Sequence, residues 1–215
     1  MGRDIEELER TARDVEVRTG ARVTCGLFEA ERWQTHARAL EAASGELNGI
    51  DVAILAAGEL GDQELAARDF DTALSVINTN YVAAVSVLTW LGGYMEERRS
   101  GSIVCLTSVA GDRGRPSNFV YGSAKGALAL YLQGLRGRLW RSNVHVMTAK
   151  LGFVDTKMTY GRKGMFLVAS PEAAAASIVR GLRARRDIIY VPGFWRPLMS
   201  IIEAVPEPLF KRLPL

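Results

Sequence analysis

Three residues in the middle of the chain, Ser108, Tyr121 and Lys125, have side chains and spacing suited to proton transfer. Tyr121 and Lys125 are four residues apart in the sequence YGSAK, within a stretch of helical pattern, so both side chains are expected on one helical face. Ser108 ends an apolar run, thirteen residues before Tyr121. A hydroxyl, a phenol and an ammonium in this arrangement predict a site that exchanges a proton with a carbonyl or alcohol oxygen.

The chemistry of the pair depends on the lysine. A phenol has a pKa near ~10 and is a poor acid–base catalyst at neutral pH. The ammonium of Lys125, one turn further on, is expected to lower the pKa of Tyr121, and Ser108 is expected to hold the substrate oxygen by a hydrogen bond. A plain surface helix and a serine in a simple turn are the alternatives for the separate residues. Their combination favours the site.

The apolar pattern alternates between strand and helix along the whole chain. The predicted strands cover residues 21–26, 51–57, 102–107, 144–149 and 187–191. The predicted helices cover residues 31–44, 69–98, 121–141 and 171–185, after a first helix that Asp4 and Glu7 cap and Gly20 ends. Such alternation predicts an α/β fold, with a parallel sheet and helices on both of its faces.

The expected strand ends bring three segments together. Right-handed crossovers place the carboxyl ends of parallel strands at one edge, where open α/β sheets bind ligands. Gly58, Ser108 and Gly152 each follow a predicted strand. The run that ends at Gly58 is continuously apolar, which predicts a strand buried on both faces. One cleft at this edge is therefore expected.

Composition sets limits on the class of protein. The 215 residues, without linker or repeat, predict a single domain over 1–215. A net charge of +3 is too small to indicate nucleic acid binding, and no metal site is predicted. The two cysteines, Cys25 and Cys105, lie in apolar runs and are expected to be buried, reduced thiols, which suits a cytoplasmic protein. No uninterrupted apolar run approaches the length of a membrane span.

Asn80 lies in the helical sequence INTNYVAAV. Together with Ser108, Tyr121, Lys125 and the order of strands and helices, it makes the chain resemble the short-chain dehydrogenase/reductase family from about Gly2 onward. The resemblance implies a Rossmann-like, doubly wound parallel sheet and an NAD(P)-dependent oxidoreductase that reduces a carbonyl or oxidises an alcohol. It implies that Tyr121 is the acid in reduction and the base in oxidation, while Ser108 orients the carbonyl. Lys125 would also bind the nicotinamide ribose, and Asn80 would anchor a water that continues the proton relay.

Two more segments resemble those that hold the cofactor in this family. The sequence LGFVDT, which contains Gly152 and Thr156, resembles a PG-x-x-x-T segment beside the nicotinamide, with leucine in place of proline. Thr156 would contact the carboxamide. The sequence LAAG resembles the NNAG segment without its asparagines, and Gly58 would still let the backbone approach the cofactor closely.

The glycine-rich turn of the family, TGxxxGxG, has no counterpart in this sequence. The chain opens at what resembles the end of the family's second strand, so the sheet is expected to lack the first βαβ portion. A late start codon or a fragmentary gene is one explanation, and a short protein that serves as a catalytically silent scaffold or assembly partner is the other. The strand at 22–25 would lose its neighbours and detach, pair with another chain, or move to the exposed edge of residues 51–57.

The cofactor type depends on one residue. Arg3 matches a basic residue that the family places near a 2′-phosphate, which favours NADP(H) over NAD(H). A surface arginine at a frayed terminus is the alternative.

The segment 187–215 is an apolar extension of the same domain. It resembles the tails of a reductase subgroup that includes decaprenylphosphoryl keto-pentose 2-reductase. One interpretation is a helix folded over the substrate cleft or a homo-oligomer interface. The other is an amphipathic segment that touches a membrane surface near a lipid-linked substrate. The sequence specifies the carbonyl or alcohol substrate no further than small or lipid-linked. A hydrolase based on Ser108 is disfavoured because no GxSxG sequence surrounds it.

Overall fold

The computed structural model describes residues 1–159 and 165–213. Its sheet has four strands, β1 (Val52–Leu55), β2 (Gly101–Ser108), β3 (Val144–Leu151) and β4 (Ile188–Val191). They are all parallel and lie in the order β1-β2-β3-β4. Ser108 pairs with Leu151, and Leu151 pairs with Val191. The carboxyl ends of β2, β3 and β4 therefore lie side by side at one edge of the parallel sheet.

The helices fill the connections between the strands. They are α1 (Ile5–Thr19), α2 (His36–Glu46), α3 (Gln63–Ala66), α4 (Phe70–Ile77), α5 (Ala83–Arg98), α6 (Phe119–Leu139), α7 (Pro171–Arg183), α8 (Trp195–Ala204) and α9 (Glu207–Phe210). Both predicted ends of α1 are confirmed. The Asp4 carboxylate accepts a hydrogen bond from the Glu7 amide at 3.0 Å, and Gly20 ends the helix with a φ of 69°.

The central strands are covered on both faces. On one face, α2, α5 and α6 pack side chains such as Leu88 and Leu132 against Ile103 and Val146. On the other face, α7 packs Ala174 and Ile178 against residues of β2 and β3. The predicted α/β fold with helices on both sides of a parallel sheet is confirmed.

Strand β1 is buried on one face only, which corrects the prediction of burial on both faces. Ala53 and Leu55 pack against the first core, whereas Val52 and Ile54 are 46% and 55% exposed. The apolar run was a poor guide here because β1 is an outer strand of the four-stranded sheet, and α7 covers the face near β2 and β3.

The predicted strand at residues 21–26 is wrong. These residues form no strand, and Gly2 and Leu27 form a single parallel bridge just beyond them. The Gly2 amide donates to the Gly26 carbonyl at 3.1 Å, and the Phe28 amide donates to the Gly2 carbonyl at 2.8 Å. Asp4 caps α1 two residues after Gly2, so the pairing at Gly2 does not continue along the chain past this residue. The segment is not part of the four-stranded sheet and does not pair with the β1 edge.

The predicted helix at 69–98 is divided by a π-helical turn, Asn78–Val82, between α4 and α5. Among the described residues, this stretch is the one helical run long and apolar enough to cross a membrane by length and composition. Its apolar character has another explanation, because Val87, Leu88 and Met95 are buried in the core against the sheet and α6.

The C-terminal segment folds back over the ligand-binding end of the sheet. Trp195 and Met199 of α8 are buried against Val109, which follows β2. The Arg113 guanidinium donates to the Glu207 carboxylate at 2.7 Å and lies over the Phe210 ring at 4.3 Å. The loop after Ser108 therefore anchors α8 and α9.

Candidate active site

A cavity of about 1020 Å³ opens at the carboxyl edge of the sheet. Six of the predicted site residues line it: Gly58, Ser108, Tyr121, Lys125, Gly152 and Thr156. They come from the loop after β1, the end of β2, the first turns of α6 and the loop after β3. The structure thus brings together the segments that the strand-end argument predicted would meet.

Lys125 lies at the buried end of this group. It is 4% exposed, and its Nζ donates to the Leu106 carbonyl at 3.3 Å and lies 5.8 Å from the centroid of the Tyr121 ring. Burial lowers the pKa of Lys125, and the neighbouring Cys105 acts weakly in the opposite direction. Burial raises the pKa of Cys105 to about 12, so the thiol stays protonated at neutral pH. The ammonium therefore lies close to the Tyr121 ring and has no thiolate beside it.

Ser108 ends β2 and begins the short helical turn Val109–Gly111. Its Oγ accepts a hydrogen bond from the Ala110 amide at 3.1 Å and donates to the Leu151 carbonyl at 3.3 Å. The hydroxyl therefore caps the turn, which was the plain alternative, and it also lines the cavity. Both roles coexist because the turn holds the hydroxyl at the cavity wall.

Helix α6 and the turn after Ser108 are packed backbone to backbone. A Cβ on Gly111 would lie 2.6 Å from the Gly126 nitrogen, and a Cβ on Gly122 would lie 2.7 Å from the Ala110 oxygen. Side chains at these positions would push α6 away from the turn. The sequence reasoning missed this contact, although Gly122 and Gly126 flank Lys125 at the i and i+4 spacing of one helical face.

Asn80 lies in the π-helical turn and is buried beneath the cavity rather than lining it. Its Nδ2 donates to the Glu59 carbonyl at 2.7 Å and to the Val76 carbonyl at 2.9 Å, and its Oδ1 accepts from the Glu59 amide at 3.3 Å. A Cβ on Gly58 would lie 2.8 Å from this Oδ1 and 3.0 Å from the Lys125 Nζ. Asn80 thereby fixes the loop after β1 against Lys125.

The loop after β3 contributes Gly152 and Thr156. The Gly152 amide donates to the Val191 carbonyl at 2.9 Å, and the Trp195 indole occupies the space that a side chain on Gly152 would need. Thr156 is exposed, and its amide donates to Thr159 Oγ1 at 3.0 Å. Residues 160–164, further along this loop, lie outside the described residues.

Arg3 is placed differently from the other predicted residues. It is exposed in the short segment before α1 and is not among the residues that line the cavity. Within the described ranges, no group of three or more His, Cys, Asp and Glu residues is arranged to hold a metal ion.

Two cavity residues, Arg115 and Asn118, were missed by the sequence reasoning, and a third, Trp195, comes from the C-terminal segment that was interpreted as a helix over the substrate cleft or an oligomer interface. Each has a buried polar atom without a hydrogen-bond partner among the described residues. These atoms are Arg115 Nε, Asn118 Oδ1 and Trp195 Nε1. Arg115 and Asn118 lie between Ser108 and Tyr121 in the sequence, which was the one available signal. Trp195 belongs to the C-terminal segment, for which a helix over the substrate cleft was one of the interpretations.

Known proteins resemble the chain in both sequence and fold. A sequence profile of the short chain dehydrogenase family matches residues 1–164. An uncharacterized oxidoreductase of Mycobacterium tuberculosis is 36% identical over 187 residues, 87% of this chain and 75% of the relative. An uncharacterized oxidoreductase of Streptomyces coelicolor is 36% identical over 197 residues, 90% of this chain and 76% of the relative.

Solved structures support the same fold. A short chain dehydrogenase from Burkholderia cenocepacia in complex with NADP aligns with a TM-score of 0.76 and 21% identity, over 91% of this chain and 80% of that chain. A short-chain dehydrogenase from Sphingobium yanoikuyae in complex with NADPH aligns with a TM-score of 0.79 and 19% identity, over 95% of this chain and 85% of that chain. Both confirm the Rossmann-like α/β fold. By its profile match and its relatives, this chain belongs to the short chain dehydrogenase family of oxidoreductases.

Proposed function

We propose that this chain uses NADP(H) to reduce a carbonyl compound or to oxidise the corresponding alcohol. The observation that carries the proposal is the buried Lys125 ammonium, 5.8 Å from the centre of the Tyr121 ring, in a cavity that Ser108 also lines. A buried cation beside a phenol favours the phenolate, and this is the condition under which tyrosine exchanges protons at neutral pH.

The chain's residues fit the nicotinamide–ribose half of such a cofactor. Gly58 lines the cavity, and the absence of a side chain there lets Asn80 and Lys125 pack against its backbone. Lys125 would bind the ribose, and Gly152 and Thr156 would lie beside the nicotinamide. When bound, the cofactor supplies or accepts the hydride. NADP and NADPH are the ligands of the two similar solved structures, which supports the choice.

The pyrophosphate and adenosine half of the cofactor has fewer candidate binding residues in this sequence. No glycine-rich turn for the pyrophosphate occurs in the 215 residues, and Arg3 is exposed and does not line the cavity. We therefore expect weak cofactor binding by this chain.

The protein groups divide the proton chemistry between them. In reduction, Tyr121 donates its proton to the carbonyl oxygen while the Ser108 hydroxyl holds that oxygen by a hydrogen bond. In oxidation, the Tyr121 phenolate takes the proton from the alcohol. Lys125 stabilises the phenolate in both directions. Asn80 would anchor a relay water near Lys125, and its hydrogen bonds to Glu59 hold the loop that faces this lysine.

The C-terminal segment supports the finer assignment to the subgroup with lipid-linked substrates. Ile201 and Leu209 of α8 and α9 are 67% and 57% exposed, and Trp195 of the same segment lines the cavity. Exposed apolar side chains next to a substrate site suit peripheral contact with a membrane or a second copy of the chain. Co-sedimentation with anionic lipid vesicles tests the membrane contact, because a peripheral segment would carry the protein into the pellet.

The alternative function is a catalytically silent assembly partner. It is favoured by the β1 strand, whose Val52 and Ile54 side chains are exposed at the edge of the sheet. Titration with NADPH, followed by its fluorescence, separates the two functions. Saturable binding supports the reductase, whereas no binding up to millimolar cofactor supports the assembly partner.

A further inference from the structure

Arg115 is a cavity residue whose guanidinium forms no ion pair within the part of the chain that the structure describes. It lies on the loop from β2 to α6, between Ser108 and Tyr121, and lines the cavity with both. Its Nε is buried without a hydrogen-bond partner. Burial lowers the pKa of Arg115 and nearby Asp112 opposes this change, but a guanidinium remains charged in proteins. An uncompensated cation therefore lies at the cavity wall.

The neighbouring carboxylate is already engaged. The side chain of Asp112 is 3% exposed and accepts hydrogen bonds from Lys150 Nζ at 2.5 Å and from the Tyr190 hydroxyl at 3.0 Å. Lys150 thus balances the charge of Asp112. Because Lys150 already neutralises the Asp112 carboxylate, this carboxylate does not also neutralise the Arg115 guanidinium.

Other partly buried arginines show how this chain satisfies such groups. Arg113 binds the Glu207 carboxylate, and Arg136 donates to the Val146 carbonyl and to Thr148. Across residues 1–159 and 165–213, Arg115 takes part in no ion pair. Leaving a partly buried charge unpaired costs free energy, which a ligand of opposite charge would recover.

The other unpartnered atoms in the cavity indicate what kind of ligand fits. Trp195 Nε1 is a donor only, so it suits an acceptor, as Arg115 does. Asn118 Oδ1 is an acceptor and suits a hydroxyl group of the ligand. Arginine binds carboxylate and phosphate oxygens through two parallel hydrogen bonds.

We propose that Arg115 binds a carboxylate or phosphate group of the substrate, so that the carbonyl compound held by Ser108 and Tyr121 is an anion. The inference rests on the proposed function and names its substrate class. The loop position of Arg115, between the two residues that would hold the reacting oxygen, places the anion on the substrate rather than on the cofactor.

Calorimetric binding of matched probes tests this proposal without turnover. The probes are acetoacetate against ethyl acetoacetate, and dihydroxyacetone phosphate against dihydroxyacetone, each with and without NADP⁺. In at least one pair, the charged member should bind about tenfold more tightly, as expected for one charge-assisted contact. Arg115→Gln should remove this preference, and Arg115→Lys should restore part of it. Exposed Arg141→Gln should leave the preference unchanged.

The outcomes separate the inference from the proposed function. Preference within the acetoacetate pair identifies a carboxylate, and preference within the other pair identifies a phosphate. Equal binding of charged and neutral members, no binding by any charged probe, or a preference that survives in Arg115→Gln would overturn the proposal. NADPH-dependent reduction of the neutral probes would still support the reductase in each of these cases.

Discussion

Gly111 and Gly126 lie so close that a Cβ on Gly126 would be 2.8 Å from the Gly111 oxygen. This contact joins the turn that Ser108 caps to the helix that carries Tyr121 and Lys125. The distance between the serine hydroxyl and the tyrosine is therefore set by two main chains, which are stiffer than side chains.

We predict that Gly126→Ala separates the helix from the turn. Overpacking of this kind costs about 1–3 kcal/mol of unfolding free energy, and activity should fall further because Ser108 moves relative to Tyr121. Urea denaturation and steady-state kinetics measure the two effects. Gly134→Ala on the same helix is the control, because no atom lies within 4 Å of its added Cβ. The free energy of unfolding of this control should rise by up to about 1 kcal/mol, because alanine favours a helix interior over glycine. Equal stabilities for the two variants would contradict the account.

We predict that Asn80→Ala loosens the loop after β1. The change leaves the amide and carbonyl of Glu59 without their partner, at a cost of about 1–3 kcal/mol if they stay buried. Hydrogen exchange at Gly58 and Glu59 should accelerate more than exchange in the β2 strand. Asn78→Ala, two residues earlier in the same turn, serves as the control. Unchanged exchange in the Asn80 variant would show that the loop is held by other contacts.

Lys125 gives a pH-dependent prediction. Burial lowers the pKa of Lys125 from its usual 10.5, so between its folded value and 10.5 the unfolded chain binds more protons. The free energy of unfolding contributed by this group therefore rises with pH through that window. Lys125→Met lacks the group, so the stability of the wild type relative to this variant should increase as the pH rises towards 10.5.

Chemical denaturation across this pH range measures the difference. Exposed Lys211→Met should follow the wild type. A constant difference between the wild type and Lys125→Met would mean that Lys125 titrates as it does in water.

The parts predicted well from the sequence are those whose pattern is local. Strands β2 and β3 and helix α6 match their predicted bounds within two residues, since each has a strong apolar period. The meeting of Gly58, Ser108 and Gly152 at one cavity was predicted from strand order.

The parts predicted poorly depend on partners distant in sequence. The residues at 21–26 have a strand-like composition, but a strand needs a neighbour, and within the described ranges the pairing here is limited to one bridge between Gly2 and Leu27. The unpaired Arg115 depends on packing that no local pattern encodes, whereas the return of Trp195 to the cavity agrees with one interpretation of the C-terminal segment. That the chain forms one domain stays a prediction, as do the roles of the site residues.

The absence of a glycine-rich turn gives a prediction about affinity. Fusing a glycine-rich βα segment of a related reductase ahead of Met1 should add main-chain donors for the pyrophosphate and raise NADPH affinity by orders of magnitude. The control is the same segment with its glycines changed to alanine. Equal affinity with and without the segment would show that this chain holds the cofactor by other contacts.

The central claim is that Tyr121 exchanges the proton, and turnover by Tyr121→Phe tests it most directly. NADPH oxidation with a panel of carbonyl compounds should fall about 10²–10⁴-fold in the variant, while its circular dichroism and NADPH binding stay close to those of the wild type. Retained turnover in a folded, cofactor-binding Tyr121→Phe variant would contradict the account.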